Sequence, residues 1–273
     1  MARLEWEAAD IMRGLYGDGI IALPSAFPSA LADRMGDEIM ALFEEAKRIP
    51  GGMLPRGPQR WYVEIQPERI SSFCSIATHP WFVAVCECVL GSDYRIVEIG
   101  FDIPFPGAAD QPWHRDFEVP EATSKLRRLD SLAFNLSAVD TVSEMGPFEI
   151  ATGTQWDAFG GCPKGMFPAR EMWPRYIERA QAKLPQRGDM SARSALTIHR
   201  GTANRSDMPR PVLVVGVDAP DATNAAHHDL QVTRPYHESL PAQVRDHLTC
   251  RIVDRLEPVI QHHVIGGLLE AVY

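Results

Sequence analysis

Residues 131–151 read SLAFNLSAVDTVSEMGPFEIA. Leu132, Phe134, Leu136 and Ala138 alternate with their neighbours. That period of two puts them on one face of an extended strand. A turn-prone stretch separates this run from a second, Phe148–Ala151. Working outward, further short β-type runs occur at Tyr94–Ile99, Ala195–His199 and Val212–Val217. Upstream the period changes to that of a helix. Leu4, Ala8, Ile11, Met12 and Leu15 share one helical face, and Leu31, Met35, Ile39, Leu42 and Phe43 another, with Ser29 as the expected cap. Gly19–Leu23 reads as a short strand between them, residues 50–60 as a loop, and His79–Leu90 as a buried helix opened by Pro80. Helical patterns return near 169–182 and 240–262. The expectation is one domain over 1–273: a helical flank over about 1–90, a β core over about 93–218 and a helical C-terminal cover over about 238–273. The fold class is mainly β with flanking helices. A double-stranded β-helix (jelly-roll, cupin-like) core suits this order better than a doubly wound parallel sheet. No GxGxxG or GxxxxGK[ST] supports a nucleotide fold.

The chain of 273 residues has a net charge of −9, which argues against a nucleic-acid partner. MARLEWEAAD is not a secretory signal, and no stretch approaches about 18 apolar residues, so no membrane partner is expected. Five cysteines without a CxxC point to a reduced, cytoplasmic protein rather than a disulfide framework.

The chemistry is carried by Gln111-Pro112-Trp113-His114-Arg115-Asp116. In an extended segment His114 and Asp116 point to the same side, so an imidazole and a carboxylate can grip one metal ion. His199, read as ending the run Ser194–Ile198, is the third ligand candidate. Two His and one carboxylate leave coordination positions open, as in non-haem Fe(II) oxygenases. A second copy, His227-His228-Asp229, lies in a polar stretch and reads as a surface loop. Arg210 opens the next strand eleven residues after His199, where a guanidinium is suited to clamp a carboxylate.

Several pieces occur in the order found in the phytanoyl-CoA dioxygenase family of Fe(II)/2-oxoglutarate oxygenases, which the chain resembles over about residues 15–217. They are Asp18–Pro24, His114-Arg115-Asp116, Gly146–Ile150 with Thr152-Gly153-Thr154, Gly188-Asp189, and His199 followed by Asn204, Ser206 and Arg210. The two histidines stand 85 residues apart, in the usual range. The chain departs from the pattern at Gly201, where the family often has a Ser that contacts the co-substrate, and at Thr152-Gly153-Thr154-Gln155. The resemblance implies Fe(II) on His114, Asp116 and His199, with 2-oxoglutarate and O2 as co-substrates and release of succinate and CO2. It implies Arg210 for the far carboxylate of 2-oxoglutarate, with Gln111, Thr202 and Ser206 as further co-substrate contacts. Because Asp116 is present, halogenation is disfavoured.

The substrate-side candidates are Arg60, Trp61, Trp113 and Arg128, with Lys125, Arg127 and Trp156 as neighbours of the same kind. The expected function is oxidation, by default hydroxylation, of a small-molecule substrate, in the manner of specialised metabolism. The alternative is a cupin-like metal- or ligand-binding protein without oxygenase turnover. A homodimer is one candidate assembly; the oligomeric state stays open.

Overall fold

The computed structural model describes residues 6–118, 125–157 and 165–261. Leu4 and Cys162 lie outside them. Helix α1 (Ala8–Gly17) buries Ile11 and Leu15, and strand β1 (Ile20–Leu23) follows. Helix α2 (Ser29–Ala46) buries Met35, Ile39, Leu42 and Phe43. Its cap position is Pro28; Ser29 is already helical, so the helix starts one residue earlier than expected. The loop over 50–60 holds the two-residue strand β2 (Leu54–Pro55) and leads into β3 (Arg60–Glu64). After α3 (Phe73–Ala77) comes α4 (Pro80–Leu90), where the His79 ring accepts from the Trp81 N–H at 3.2 Å. Then follow β4 (Arg95–Pro104), β5 (Ser131–Ser137), β6 (Phe148–Ala151), α5 (Trp173–Arg179), β7 (Ala180–Lys183), β8 (Met190–Ser194), β9 (His199–Gly201) and β10 (Val212–Asp218).

Seven strands form one antiparallel sheet in the order β1-β8-β5-β10-β4-β3-β2, and three form a second in the order β7-β6-β9. This is the jelly-roll arrangement expected. The large sheet has two different faces. Leu132, Phe134 and Leu136 of β5 and Leu213, Val215 and Val217 of β10 turn to the main core. There Phe134 packs on Phe82 of α4, ring centroids 4.2 Å apart, and edge-on to Trp81. The alternate residues, Ser131, Ala133, Asn135 and Ser137 with Val212, Val214 and Gly216, line a cavity between the two sheets. Burial on both sides explains why β10 reads as an unbroken apolar run.

Three expectations fail for local reasons. Ala195–Thr197 is a turn joining β8 to β9, closed by Thr197 N–H to Ser194 O at 3.2 Å, so His199 begins a strand rather than ending one. The helical pattern near 240–262 yields, after β11 (Gln231–Thr233) and α6 (Arg234–Ser239), only the single turn α7 (Ala242–Arg245) and then β12 (Arg251–Val253), paired in parallel with β11. The pattern near 169–182 splits into α5 and the strand β7. Residues 262–273 of the expected cover lie outside the described part.

The core assignment has a measurable consequence. Phe134→Ala is expected to lower unfolding stability by about 3–5 kcal/mol in urea titrations, because its cavity would be lined by rigid aromatics. Leu126→Ala, at a side chain 72% exposed, should change it by less than about 0.5 kcal/mol.

Candidate functional site

Residues 111–116 run antiparallel beside β9. His114 and His199 exchange both backbone hydrogen bonds, at 2.9 and 2.8 Å. Gln111 N–H donates to Gly201 O at 2.8 Å, and Asp116 N–H donates to Ala195 O at 3.0 Å. This pairing sets the imidazole rings of His114 and His199 with centroids 4.4 Å apart, and Asp116 Oδ1 3.3 Å from His199 Nε2. One ligand atom from each of the three residues lies within 4.8 Å of the others, the one such group found among the described residues.

The protonation states suit a cation. Each histidine Nδ1 faces a carbonyl two residues back, Pro112 O at 2.8 Å and Thr197 O at 2.9 Å. Those contacts fix Nδ1–H as the donor and turn the Nε2 lone pair toward the shared centre. Burial holds both imidazoles below their usual pKa, His199 and Arg193 respectively adding to the effect, so both are neutral. Burial alone would raise Asp116, but Arg193 and His199 outweigh it and hold the carboxyl well below the usual range. Arg193 of β8 grips both oxygens, Nη1 to Oδ2 and Nη2 to Oδ1 at 3.3 Å. Two neutral imidazoles and one ionised carboxylate on one side of a centre fit a divalent transition metal.

Arg210 is buried at the far end of the same cavity. Its Nε donates to the carbonyls of Met145 and Gly146, at 3.3 and 3.1 Å. Among the described residues no carboxylate stands within ion-pair distance of it. Burial and the neighbouring Arg60 push its pKa down to about 10, against the pull of Asp102. The loop that delivers Arg210 is tied by Asn204, whose Nδ2 donates to Pro104 O and Met208 O, and by Ser206, whose hydroxyl donates to Asn204 Oδ1 at 2.7 Å. Gly146 has φ +69°, and a Cβ there would stand 2.5 Å from Thr202 O.

Arg60 of β3 explains Gly201. Its guanidinium, 1% exposed, donates to Asp102 Oδ2 at 3.0 Å and Thr202 O at 2.8 Å. A Cβ at position 201 would lie 2.3–2.7 Å from its three terminal atoms. The side chain absent at 201 is thus replaced in space by one from a residue 141 positions earlier in the chain.

The other candidates separate cleanly. Gln111 lines the cavity and braces it: its Nε2 donates to Arg56 O, and its Oε1 accepts from Gly201 N–H at 2.9 Å. Thr202 and Ser206 do not line it. The Thr202 hydroxyl donates to Pro147 O at 2.7 Å, and Ser206 serves the loop just described. Trp113 is core, packed with Tyr176, Ala151 and Ile198 and capped by Arg200, 4.6 Å from its ring. Trp61 and Trp156 pack against the main core. Arg128 is a surface residue paired with Asp221 at 2.6 Å. Arg205 is exposed, unlike Arg210.

The cavity encloses about 410 Å3. Sequence reading missed Arg193, Asp102, Glu98 and His228 as lining residues, while Tyr62, a candidate beside Arg60 and Trp61, does line the cavity. The expected surface loop at 227–229 is corrected for its middle residue, whose imidazole is buried on Glu64 at 2.7 Å. Glu98 falls on a strand whose other signals are apolar, and only the sheet register reveals its direction.

No protein-family profile matches the chain, and no curated protein matches it by sequence. Solved structures do resemble it. The epimerase SnoN in complex with Fe3+, α-ketoglutarate and nogalamycin RO shares 19% identity over 77% of this chain and 83% of its own, TM-score 0.58. The non-haem α-ketoglutarate-dependent carbocyclase SnoK from nogalamycin biosynthesis shares 20% over 78% and 85%, TM-score 0.60. EctD from S. alaskensis, solved with 2-oxoglutarate and 5-hydroxyectoine, shares 14% over 80% and 78%, TM-score 0.63. The chain therefore has the fold of non-haem iron, 2-oxoglutarate-dependent enzymes.

Arg60 and Gly201 are expected to couple. Gly201→Ala should cost about 1–3 kcal/mol of stability, because Arg60 is pinned and must shift. In an Arg60→Ala background the same change should cost less, and a thermodynamic double-mutant cycle measures the difference.

Proposed function

We propose that this protein is an Fe(II)- and 2-oxoglutarate-dependent dioxygenase, acting in the cytoplasm on a small molecule and resembling the phytanoyl-CoA dioxygenase branch by its ordered motifs. The observation that carries the reading is the pairing of two features in one cavity. One is the His114–Asp116–His199 group; the other is Arg210, a buried guanidinium with no carboxylate within ion-pair distance among the described residues. A plain metal-binding protein needs the first and has no use for the second, which argues against the cupin-like alternative.

Each residue then has a task. His114, Asp116 and His199 would hold the metal on one side, the histidines through Nε2. Pro112 O and Thr197 O keep the rings turned to it. Arg193 holds the Asp116 carboxylate in place through two contacts. Arg210 would receive the far carboxylate of 2-oxoglutarate through its terminal nitrogens, since its Nε is already committed to backbone carbonyls. Bound iron and 2-oxoglutarate supply the oxidising power, consuming O2 and giving succinate and CO2. Asp116 fills the position that a halide would need, so oxidation without halogenation is the expected outcome. Apolar lining residues such as Ala133, Val212 and Val214 shape the substrate side and keep water out.

Two measurements test this. Succinate should form from 2-oxoglutarate only with Fe(II) present, and His199→Ala should abolish it while weakening metal binding by at least about tenfold. Normal turnover in His199→Ala would defeat the assignment. Arg210→Lys should raise the KM for 2-oxoglutarate by about tenfold or more, since a point charge replaces a planar fork. Arg205→Lys should leave it unchanged; the opposite pattern would reassign the clamp.

A further inference from the structure

The cavity is polarised in a way the metal chemistry does not require. Arg60 and Arg210 sit at one end, where Asp102 pairs with Arg60 and also acts on Arg210. The end defined by β4 and the last residues of β10 is acidic. There the Glu98 side chain lies over Gly216, where a Cβ would stand 2.5 Å from Glu98 Oε2. The Tyr62 hydroxyl donates to Glu98 Oε1 across the bare backbone of Gly100, where a Cβ would stand 2.5 Å from that hydroxyl. Two residues beyond Gly216, about 7 Å along the strand, stands Asp218. It shares the cavity face: in the β5–β10 register Gly216 pairs with Ala133 and Asp218 with Ser131, and Ala133 and Ser131 both line the cavity.

The charges at this end do not balance. Glu64 is fully engaged, by His228 Nδ1 at 2.7 Å and by Asp229 N–H at 3.2 Å. His228 is the one imidazole here, with Nε2 3.8 Å from Glu98 Oε2. Burial would lower its pKa, but Glu98, Glu64 and Asp218 raise it to about 9, so it is a cation. One imidazolium thus faces three carboxyl groups. The Arg56 guanidinium lies over the Tyr62 ring, 5.1 Å from its centroid. Asp218 is 1% exposed, and neither of its oxygens has a donor at hydrogen-bonding geometry. Burial raises its pKa to about 6, with Glu98 adding and the nearby Ser131 hydroxyl and His228 opposing. These side chains do not converge tightly enough for a second metal, since no group but the His114 one does so among the described residues. Asp218 lacks a donor and Glu98 has the Tyr62 hydroxyl on one oxygen, whereas an ammonium group brings three donors.

We propose that Glu98, which lines the cavity, binds a protonated amine of the substrate, with Asp218 buried behind it adding negative charge. The inference rests on reading this cavity as the substrate site, and it adds the substrate's chemical class. Glu98 and Arg193, beside Asp116, belong to one row across the sheet, in which Glu98 pairs with Gly216, Gly216 with Ala133 and Ala133 with Arg193. Three strand spacings, about 14 Å at the backbone, separate them. The side chains project into the gap from both sides, so the reacting carbon and the nitrogen lie several bonds apart. The substrate is thus a cationic amine oxidised away from its nitrogen.

The probe is n-hexylammonium chloride, with 1-hexanol as the neutral match, titrated into the metal-free protein by calorimetry. The His228 ring signals are followed in parallel by NMR. Hexylammonium should bind at least tenfold more tightly than hexanol and shift the His228 signals. Glu98→Gln should weaken it at least tenfold, and Asp218→Asn should do the same by a smaller factor. Equal affinity for the amine and the alcohol in the unaltered protein would overturn the proposal, and that comparison does not depend on any variant folding. Amine binding that survives Glu98→Gln within twofold, or that leaves His228 unshifted, would overturn it as well. Because no metal or 2-oxoglutarate is present, these outcomes are independent of the succinate assay. Failure there with amine binding intact would refute the dioxygenase reading alone.

Discussion

The site depends on one pair of backbone hydrogen bonds, those between His114 and His199. They join a segment outside any regular strand to the edge of the small sheet. Everything near the metal centre is placed from that junction. Asp116 is two residues along one chain, Gly201 two along the other, and the Gln111 side chain bonds the Gly201 amide between them. Peptide groups buried at such a junction must be paired; the pairing places the two histidines, and the Pro112 and Thr197 carbonyls on Nδ1 set their rings. The ligands are therefore organised by the backbone, and the side chains around them tune charge.

That tuning comes from the large sheet. Arg193 reaches Asp116 from β8, Arg60 reaches Asp102 and the Thr202 carbonyl from β3, and Glu98 turns inward from β4. Three glycines make room for three long side chains. Gly201 admits Arg60, Gly100 admits Tyr62, and Gly216 admits Glu98. In each case the missing Cβ belongs to one strand and the occupying group to another. The lining is thus built by exchange between strands rather than by the residues nearest in sequence.

That exchange also marks how far the sequence could be read. His114 with Asp116, and His199 with Arg210, were legible because each pair is local and its spacing has a geometric meaning. The helices α1, α2 and α4 and the strands β5, β6 and β10 were legible from periodicity. Arg60 was a candidate from its neighbours, but its place beside Gly201 follows only from the packing. Arg193, Glu98 and Asp218 were invisible because strand register decides which way they face, and register is a long-range property. Thr202 and Ser206 matched a motif, yet their hydroxyls serve the loop that carries Arg210. Trp113 sits beside a ligand in sequence and on the opposite side in space, as alternation in an extended segment requires. The turn at Ala195–Thr197 was hidden by an apolar composition that also suits a buried strand.

Arg210 has one more implication. A guanidinium buried without a counter-charge destabilises the fold that encloses it. An anion that enters from solution removes that penalty and binds only the folded chain, so it shifts the folding equilibrium by mass action. At a hundredfold excess over its dissociation constant the gain is about 2.7 kcal/mol. With Arg210 as the clamp proposed above, survival against unfolding and proteolysis would be tied to the supply of a small dicarboxylate, and the chain would lose persistence along with turnover where that supply falls.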